Sequence, residues 1–345
     1  MVASTLPKSA APRAPGTPTR RWVLLLAAMR AWLFLALLLV GFEVWARASY
    51  GSTFVLSVYN AQSIAIFTVA PLLLALGETF VIIAGGIDLS VGFIMGLSAV
   101  IAAQATNSVG GANSGFGAML AGIVAGMLVA LIPGAVNGWL ISKLKVPPFI
   151  GTLGLYGVAR GVAFLLANGT TVPINNPWFA ALGNGRVLGV PVIVIVTVLF
   201  LIGMSYLLSQ TRFGQHTYAV GASEQAALRA GIGVGRHTRK LYLLSALCAG
   251  LGGVLYTARF TAGAAQAGEP LLLDSIAAVV IGGASLFGGS GTILGTVAGS
   301  LVIAVIQYGL VFMDVEPFWQ FVAVGIVIII SVLVDQTQRK LGGDR

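Results

Sequence analysis

The chain has 345 residues, 57% of them hydrophobic and only 8% charged, with a mean hydropathy of +0.97; this excludes a soluble globular domain and describes an integral membrane protein. Its formal net charge of +9 is read through which loops carry it, and no nucleic-acid partner is expected. Alternating ten-residue strands of the outer-membrane barrel type are absent, so the expected fold is all-α and polytopic.

Residues 1–20, rich in Pro, Ala, Ser and Thr, read as a disordered cytoplasmic tail. "TRRWVLLL" has the form of a twin-arginine export signal, and "ARA" at 46–48 that of a cleavage site. A basic flank before a hydrophobic run equally orients a retained anchor helix, and retention is the reading adopted. At about 20 apolar residues per crossing, runs at 22–42, 62–84, 90–105, 116–142, 149–167, 187–208, 241–259, 273–287, 293–312 and 318–335 give about ten helices. They form one permease domain over 21–336, followed by a tail at 337–345. Alternate numbering places Lys8, Arg13, Arg20, Arg21, Lys143, Lys145, Arg212, Arg229, Arg236, Arg239, Lys240, Arg339, Lys340 and Arg345 on one side. That side is expected to be the cytoplasm, with both termini inside.

The first chemical signal is "GGIDLSVG" at 85–92, a carboxylate between glycines inside an apolar stretch. Asp88 and Ser90 suit N-capping of a helix that begins near Val91, while an intramembrane carboxylate is also a pathway candidate. "IAGGIDLSVGFIMGLSAV" from Ile83 has a counterpart in "VIGGASLFGGSGTILGTVAGSLV" from Val280, with Gly85, Gly86, Leu89 and Gly92 falling on Gly282, Gly283, Leu286 and Gly289. Ser285 then falls on Asp88. Matching Gly-interrupted segments in two halves of a membrane protein point to a transport path, with Gly85, Gly86, Asp88, Ser90, Gly282, Gly283 and Ser285 as hinges or cavity walls.

Glycines four apart, at 92/96, 122/126, 134/138, 157/161 and 291/295/299, are expected to let helices approach closely. Cys248 is the single cysteine, read as a packed thiol. His216 and His237 lack metal-site neighbours and are expected to be solvated in the loop 209–240. The chain has no phosphate-binding loop, since "FGGSGTILG" lacks the lysine, so it cannot itself hydrolyse ATP. The same long loop contains "SEQAALRAGI", a short amphipathic helix with an acidic first turn and Gly231 at its end.

Glu224, Ala226, Ala227 and Gly231 resemble the E-A-A-x-x-x-G element of ABC importer permeases, shifted by the insertion of Gln225. Together with "GGIDLSVG", "VPPFIGTLG", "AVVIGGASLFGGSGTILGT" and "PFWQ", residues 50–335 resemble a ribose-type simple-sugar permease. The chain departs from that pattern at "GASEQAA", where Gly-Asn often precedes the Glu, and at Arg229 and Ala230, where Leu and Ser are common. The resemblance implies a non-enzymatic translocation subunit in a bacterial plasma membrane, surrounded by lipid. Its partners would be a second permease copy, identical or homologous, an extracytoplasmic substrate-binding protein, and ATPase subunits that carry ATP and Mg. It assigns ATPase coupling to the 224–231 helix; Arg229, Arg236 and Arg239 are candidate ionic contacts to the ATPase or, equally, charges that hold the loop in the cytoplasm. Asn60, Gln62, Asn137, Thr152 and Gln307 are candidates for lining a sugar path, since a neutral sugar needs hydrogen-bonding groups. The rival reading is a self-powered secondary transporter or channel in which Glu78 and Asp88 carry protons and Arg160 partners Glu78.

Overall fold

In a bilayer no water satisfies the backbone, so apolar runs persist there as helices, and each of the ten runs contains a helix in the computed structural model, which describes residues 18–109, 115–316 and 318–341. In chain order the helices are α1 (Pro18–Tyr50), α2 (Val58–Ile83), α3 (Val91–Ser108), α4 (Phe116–Lys143), α5 (Pro148–Leu166), α6 (Pro177–Asn184), α7 (Val192–Gln210), α8 (Arg212–Ala222), α9 (Glu224–Arg229), α10 (Val234–Phe260), α11 (Leu271–Ile281), α12 (Ile293–Phe312) and α13 (Phe318–Leu341). The expected tail lies outside the described residues as far as residue 17, and α1 begins at Pro18. Two small antiparallel pairs complete the fold: β1 (Val172–Pro173) with β4 (Ala262–Gly263), and β2 (Arg186–Val187) with β3 (Val190–Pro191).

Among the described residues, eight helices, α1 to α5, α7, α10 and α12, are long and apolar enough to cross a membrane. They divide into two layers: 67–83% of the apolar window is buried in α2, α3, α10 and α12, against 17–33% in α1, α4, α5 and α7. The outer helices turn apolar side chains such as Leu37, Val124, Leu165 and Leu199 outward, as lipid-facing helices do.

The run expected at 273–287 is not one helix. α11 has 11 residues, about 16 Å at 1.5 Å per residue, roughly half of the hydrocarbon core. Irregular segments at 264–270 and 282–292 extend it, and their backbone is packed on protein. Room for the first comes from α3, where added Cβ atoms on Gly92 and Gly96 would strike the carbonyls of Gly268 and Ala265. Those glycines therefore admit a non-helical strand of chain rather than the neighbouring helix expected of them. Three of the other sets do seat helices: Gly122 and Gly126 against α3, Gly134 and Gly138 against α10, Gly295 and Gly299 against α11 and its C-terminal end, whereas Gly291 lies in the turn before α12 against Ala284 and Ile83. Gly157 and Gly161 have nothing within 4 Å of a Cβ position, so α5 packs on nothing described through that face.

The long loop 209–240 is itself folded. Thr211 caps α8 and Ser223 caps α9, each through its hydroxyl, and Gly231 leaves α9 with φ +81°. His237 is not solvated. It is buried in the first turn of α10, with Nε2 2.9 Å from the Thr217 hydroxyl and its ring 4.7 Å from that of Phe213. This contact joins α8 to α10, which explains why a chain of this polarity holds an ordered element outside the bundle.

Candidate translocation and coupling site

α2 and α11 end in the same way. At α2 the N–H of Gly86 donates to Val81 O at 2.9 Å and that of Gly85 to Ile82 O at 2.9 Å, with Gly85 at φ +81°. At α11 the N–H of Ala284 donates to Val279 O at 3.1 Å and that of Gly283 to Val280 O at 2.9 Å, with Gly283 at φ +92°. Both are Schellman endings, which need a left-handed residue that glycine supplies without strain. The backbone therefore equates Gly85 with Gly283, one residue away from the sequence offset, and sets Ser285 against Ile87 rather than Asp88. A hydrogen-bonded helix end fixes register more tightly than matching letters do.

Beyond Gly85 the chain turns back along α2, so that the Asp88 N–H reaches Glu78 Oε2 at 3.4 Å. Asp88 is fully buried. Its Oδ1 accepts from the Ser90 N–H at 3.1 Å and the Ser90 hydroxyl at 2.5 Å, and its Oδ2 from the Ser245 hydroxyl of α10 at 2.9 Å. Asn137 of α4 donates to Ser90 Oγ at 2.8 Å, and the Tyr242 hydroxyl donates to Ile87 O at 3.3 Å. Asp88 thus holds the turn before α3 and does not cap the free N–H groups of α3, for which Ser90 is the N-cap residue with its hydroxyl turned to Asp88 and Asn137 instead of to the helix. Glu78 lies in the same cluster with Oε1 unpartnered. Arg160 is not its partner. That guanidinium lies 3.9 Å from Glu269 and 5.4 Å over the Phe93 ring.

At the end of the bundle that carries Lys145, Arg229 and Arg236, here called the basic end, the two glycine turns meet each other and α8. The Gly289 N–H donates to Ile83 O at 2.8 Å. Gly221, near the end of α8, sits so close that an added Cβ would strike Ile83 O and lie 2.6 Å from Gly289 N. Tyr218 of α8 donates its hydroxyl to Gly291 O at 2.7 Å, and partial burial raises its phenol above the ordinary value, keeping it a donor. A cavity of about 220 Å³ adjoins this junction, lined by Gly85, Gly86, Tyr242, Lys145 and Glu224 among others. α9 rests here on one buried side chain, Ala227, packed with Val220 and Val234. Ala226, Arg229 and Gly231 are exposed; Glu224 is 57% exposed, 3.9 Å from Lys145, a geometry worth at most about 1 kcal/mol. Arg236 is exposed, and Arg239 turns back to Gly235 O at 3.3 Å.

The opposite end holds a larger cavity, about 880 Å³, between α2, α10, the 264–270 segment, α11, α12 and α13. Of the five residues expected to line a path, Gln307 alone reaches it, donating to Asp274 Oδ2 at 2.8 Å. Asn60 donates to Phe54 O at 3.1 Å and accepts from the Tyr308 hydroxyl at 2.7 Å. Gln62 donates to Gly189 O at 2.7 Å. Asn137 belongs to the Asp88 cluster, and Thr152 bonds Pro148 O at 2.9 Å. Sequence reasoning missed Asp274, Glu269 and Tyr256. The available signal was "AGAAQAGEP" at 262–270, a small, polar, Pro-terminated stretch between two apolar runs.

A family described as "Branched-chain amino acid transport system / permease component" matches residues 60–332. The ribose import permease protein RbsC of Bacillus subtilis (strain 168) is 43% identical over 266 residues, 76% of this chain and 80% of that protein. The fructose import permease protein FrcC of Rhizobium meliloti is 35% identical over 317 residues, 90% of this chain and 85% of that protein. The D-allose transport system permease protein AlsC of Escherichia coli (strain K12) is 34% identical over 288 residues, 84% and 86% of the two chains. No solved structure matches the chain. A polytopic bundle with paired glycine turns, a family match across most of its length and these relatives lead to one conclusion: the chain belongs to the branched-chain amino acid transport system / permease component family.

Proposed function

We propose that this chain is the permease subunit of an ATP-binding-cassette importer that moves a simple sugar across a bacterial plasma membrane, with the basic end in the cytoplasm. The observation that carries the coupling assignment is the junction of α8 with both glycine turns. A push on the exposed α9 reaches Gly221, and through it Ile83 O and Gly289 N, without a flexible linker between. ATP and Mg belong to partner ATPase subunits that dock on α9 around Glu224, Ala226, Arg229 and Gly231. The turns at Gly85–Ser90 and Gly282–Ser285 then repack between outward-open and inward-open states. The sugar class is supported by the ribose, fructose and allose permeases among the relatives. A second permease copy is assigned to the exposed face of α5, where Gly154, Gly157 and Gly161 leave space for a neighbouring backbone.

Glu78 and Asp88 line neither cavity, which weighs against a proton path through them. The deciding experiment is Glu224→Ala in the reconstituted importer. Because Glu224 is exposed, the fold is expected to keep its stability within about 0.5 kcal/mol, while ATPase co-purification and ATP-driven uptake of D-ribose, D-fructose or D-allose are lost. Uptake that survives, follows a proton gradient and needs no ATP would overturn the reading.

A further inference from the structure

We propose that the cavity at the opposite end is a binding site for the sugar itself, built from the Asp274–Gln307 pair, Glu269 and the ring of Tyr256; this rests on the sugar reading above. One wall of it is non-helical backbone. Residues 264–270 lie against Gly92 and Gly96 of α3 on one side and border the cavity on the other. Irregular backbone persists at membrane depth only where protein buries it or a water-filled cavity borders it, and this segment has packed protein on one side and open space on the other.

The lining runs against the composition of the chain. Two of its ten acidic residues, Glu269 and Asp274, face this one space together with Gln266, Gln307 and Gln320. They come from the 264–270 segment and from α11, α12 and α13. Carboxylates inside a membrane protein are costly and mark substrate paths. Asp274 is 6% exposed and gives one oxygen to Gln307 Nε2 at 2.8 Å, and Tyr156 and Arg160 hold Oε1 of Glu269 at 3.5 and 3.9 Å. Each carboxylate keeps its other oxygen as an acceptor for a hydroxyl donor. The Tyr256 ring lies tilted at 44° against Phe260, centroids 4.6 Å apart, and borders the cavity, offering an apolar surface to the C–H side of a sugar ring. The rim carries both signs of charge, since Arg259 borders the same space and Arg160 pairs with Glu269, and apolar side chains such as Leu255 and Phe321 complete the lining. A polyol with donors around its edge and an apolar face fits both features. The volume, about 880 Å³, falls in the range of ligand sites and exceeds one sugar ring, so binding is weak, on the order of millimolar, as transit requires.

The test uses the complete importer in lipid nanodiscs without its binding protein. Saturation-transfer difference NMR is run separately with D-ribose, D-fructose, D-allose and L-leucine, and uptake with the binding protein present is measured in parallel. The expected result is saturation transfer to the ring protons of at least one of the three sugars. The signal falls at least fivefold in Asp274→Asn and Gln307→Ala, is lost in Tyr256→Ala and survives in Tyr256→Phe, whose retained ring controls for folding. Turnover of uptake at saturating binding protein falls in the same order while the ATPase still co-purifies. Sugar uptake by the wild type without saturation transfer, or signals equal in all variants, would overturn the site alone. Failure of uptake for all three sugars, or a signal from L-leucine that these substitutions abolish, overturns the sugar reading and this site with it.

Discussion

The two glycine turns begin alike and finish differently. Both leave their helices through a left-handed glycine, Gly85 at φ +81° and Gly283 at φ +92°. The first then folds back into the bundle, where Asp88 and Ser90 are fully buried and tied to α4 and α10. The second stays at the surface of the basic end, with Leu286 41% and Phe287 75% exposed, bound to α8 through Tyr218 and Gly291. A repeated helix ending can therefore serve as a fixed anchor in one half and as a docking edge in the other. The difference lies in what each turn meets after its glycine.

The largest effect is expected from Asp88→Ala. It leaves the Ser90 N–H and two buried hydroxyls without their acceptor, at about 1–3 kcal/mol for each orphaned group. Thermal denaturation in detergent should show a loss of several kcal/mol, with Asp88→Asn losing less than half as much. If Asp88→Ala is as stable as the wild type, the first turn is no anchor. Gly221→Ala comes next, because its methyl would displace Ile83 or Gly289. Overpacking of this kind costs about 1–3 kcal/mol, and ATP-driven uptake should fall at least tenfold with ATPase binding intact; unchanged uptake would detach α8 from the turns. Gly85→Ala and Gly283→Ala should each cost about 1–2 kcal/mol, the price of a left-handed alanine. Unequal losses would show that the shared helix ending does not carry the comparison. The smallest effect separates the two leucines that match in sequence. Leu89, partly buried in the interior cluster of α3 and α10, should lose about 2 kcal/mol on truncation to Ala, whereas exposed Leu286 should lose about 0.5 kcal/mol or less. Equal values in urea or thermal unfolding would make the two turns equivalent.

The position of both turns was legible in the sequence, because glycine pairs interrupting apolar runs have few other uses in a bilayer. Their register was not. Gly85, Gly86, Leu89 and Gly92 match their counterparts at one offset in sequence, yet the hydrogen bonds of the helix ends set Gly85 on Gly283. The short helix at 224–229 followed from Ser223, Glu224 and Gly231, which are local capping signals. What it touches depended on Gly221, a residue that nothing local distinguishes from other glycines.

By itself the sequence determined the membrane class, most of the helical runs and the basic clustering, since each depends on composition or on residues adjacent in the chain. Only the tertiary structure decided the rest. It turned Asp88 from a cap into the centre of a four-element cluster, and it gave Gly92 and Gly96 a non-helical neighbour. It also brought Asp274, Gln307 and Glu269 to one cavity from three elements. Those outcomes are set by contacts between residues tens to hundreds of positions apart, for which backbone proximity, not periodicity, selects the partner.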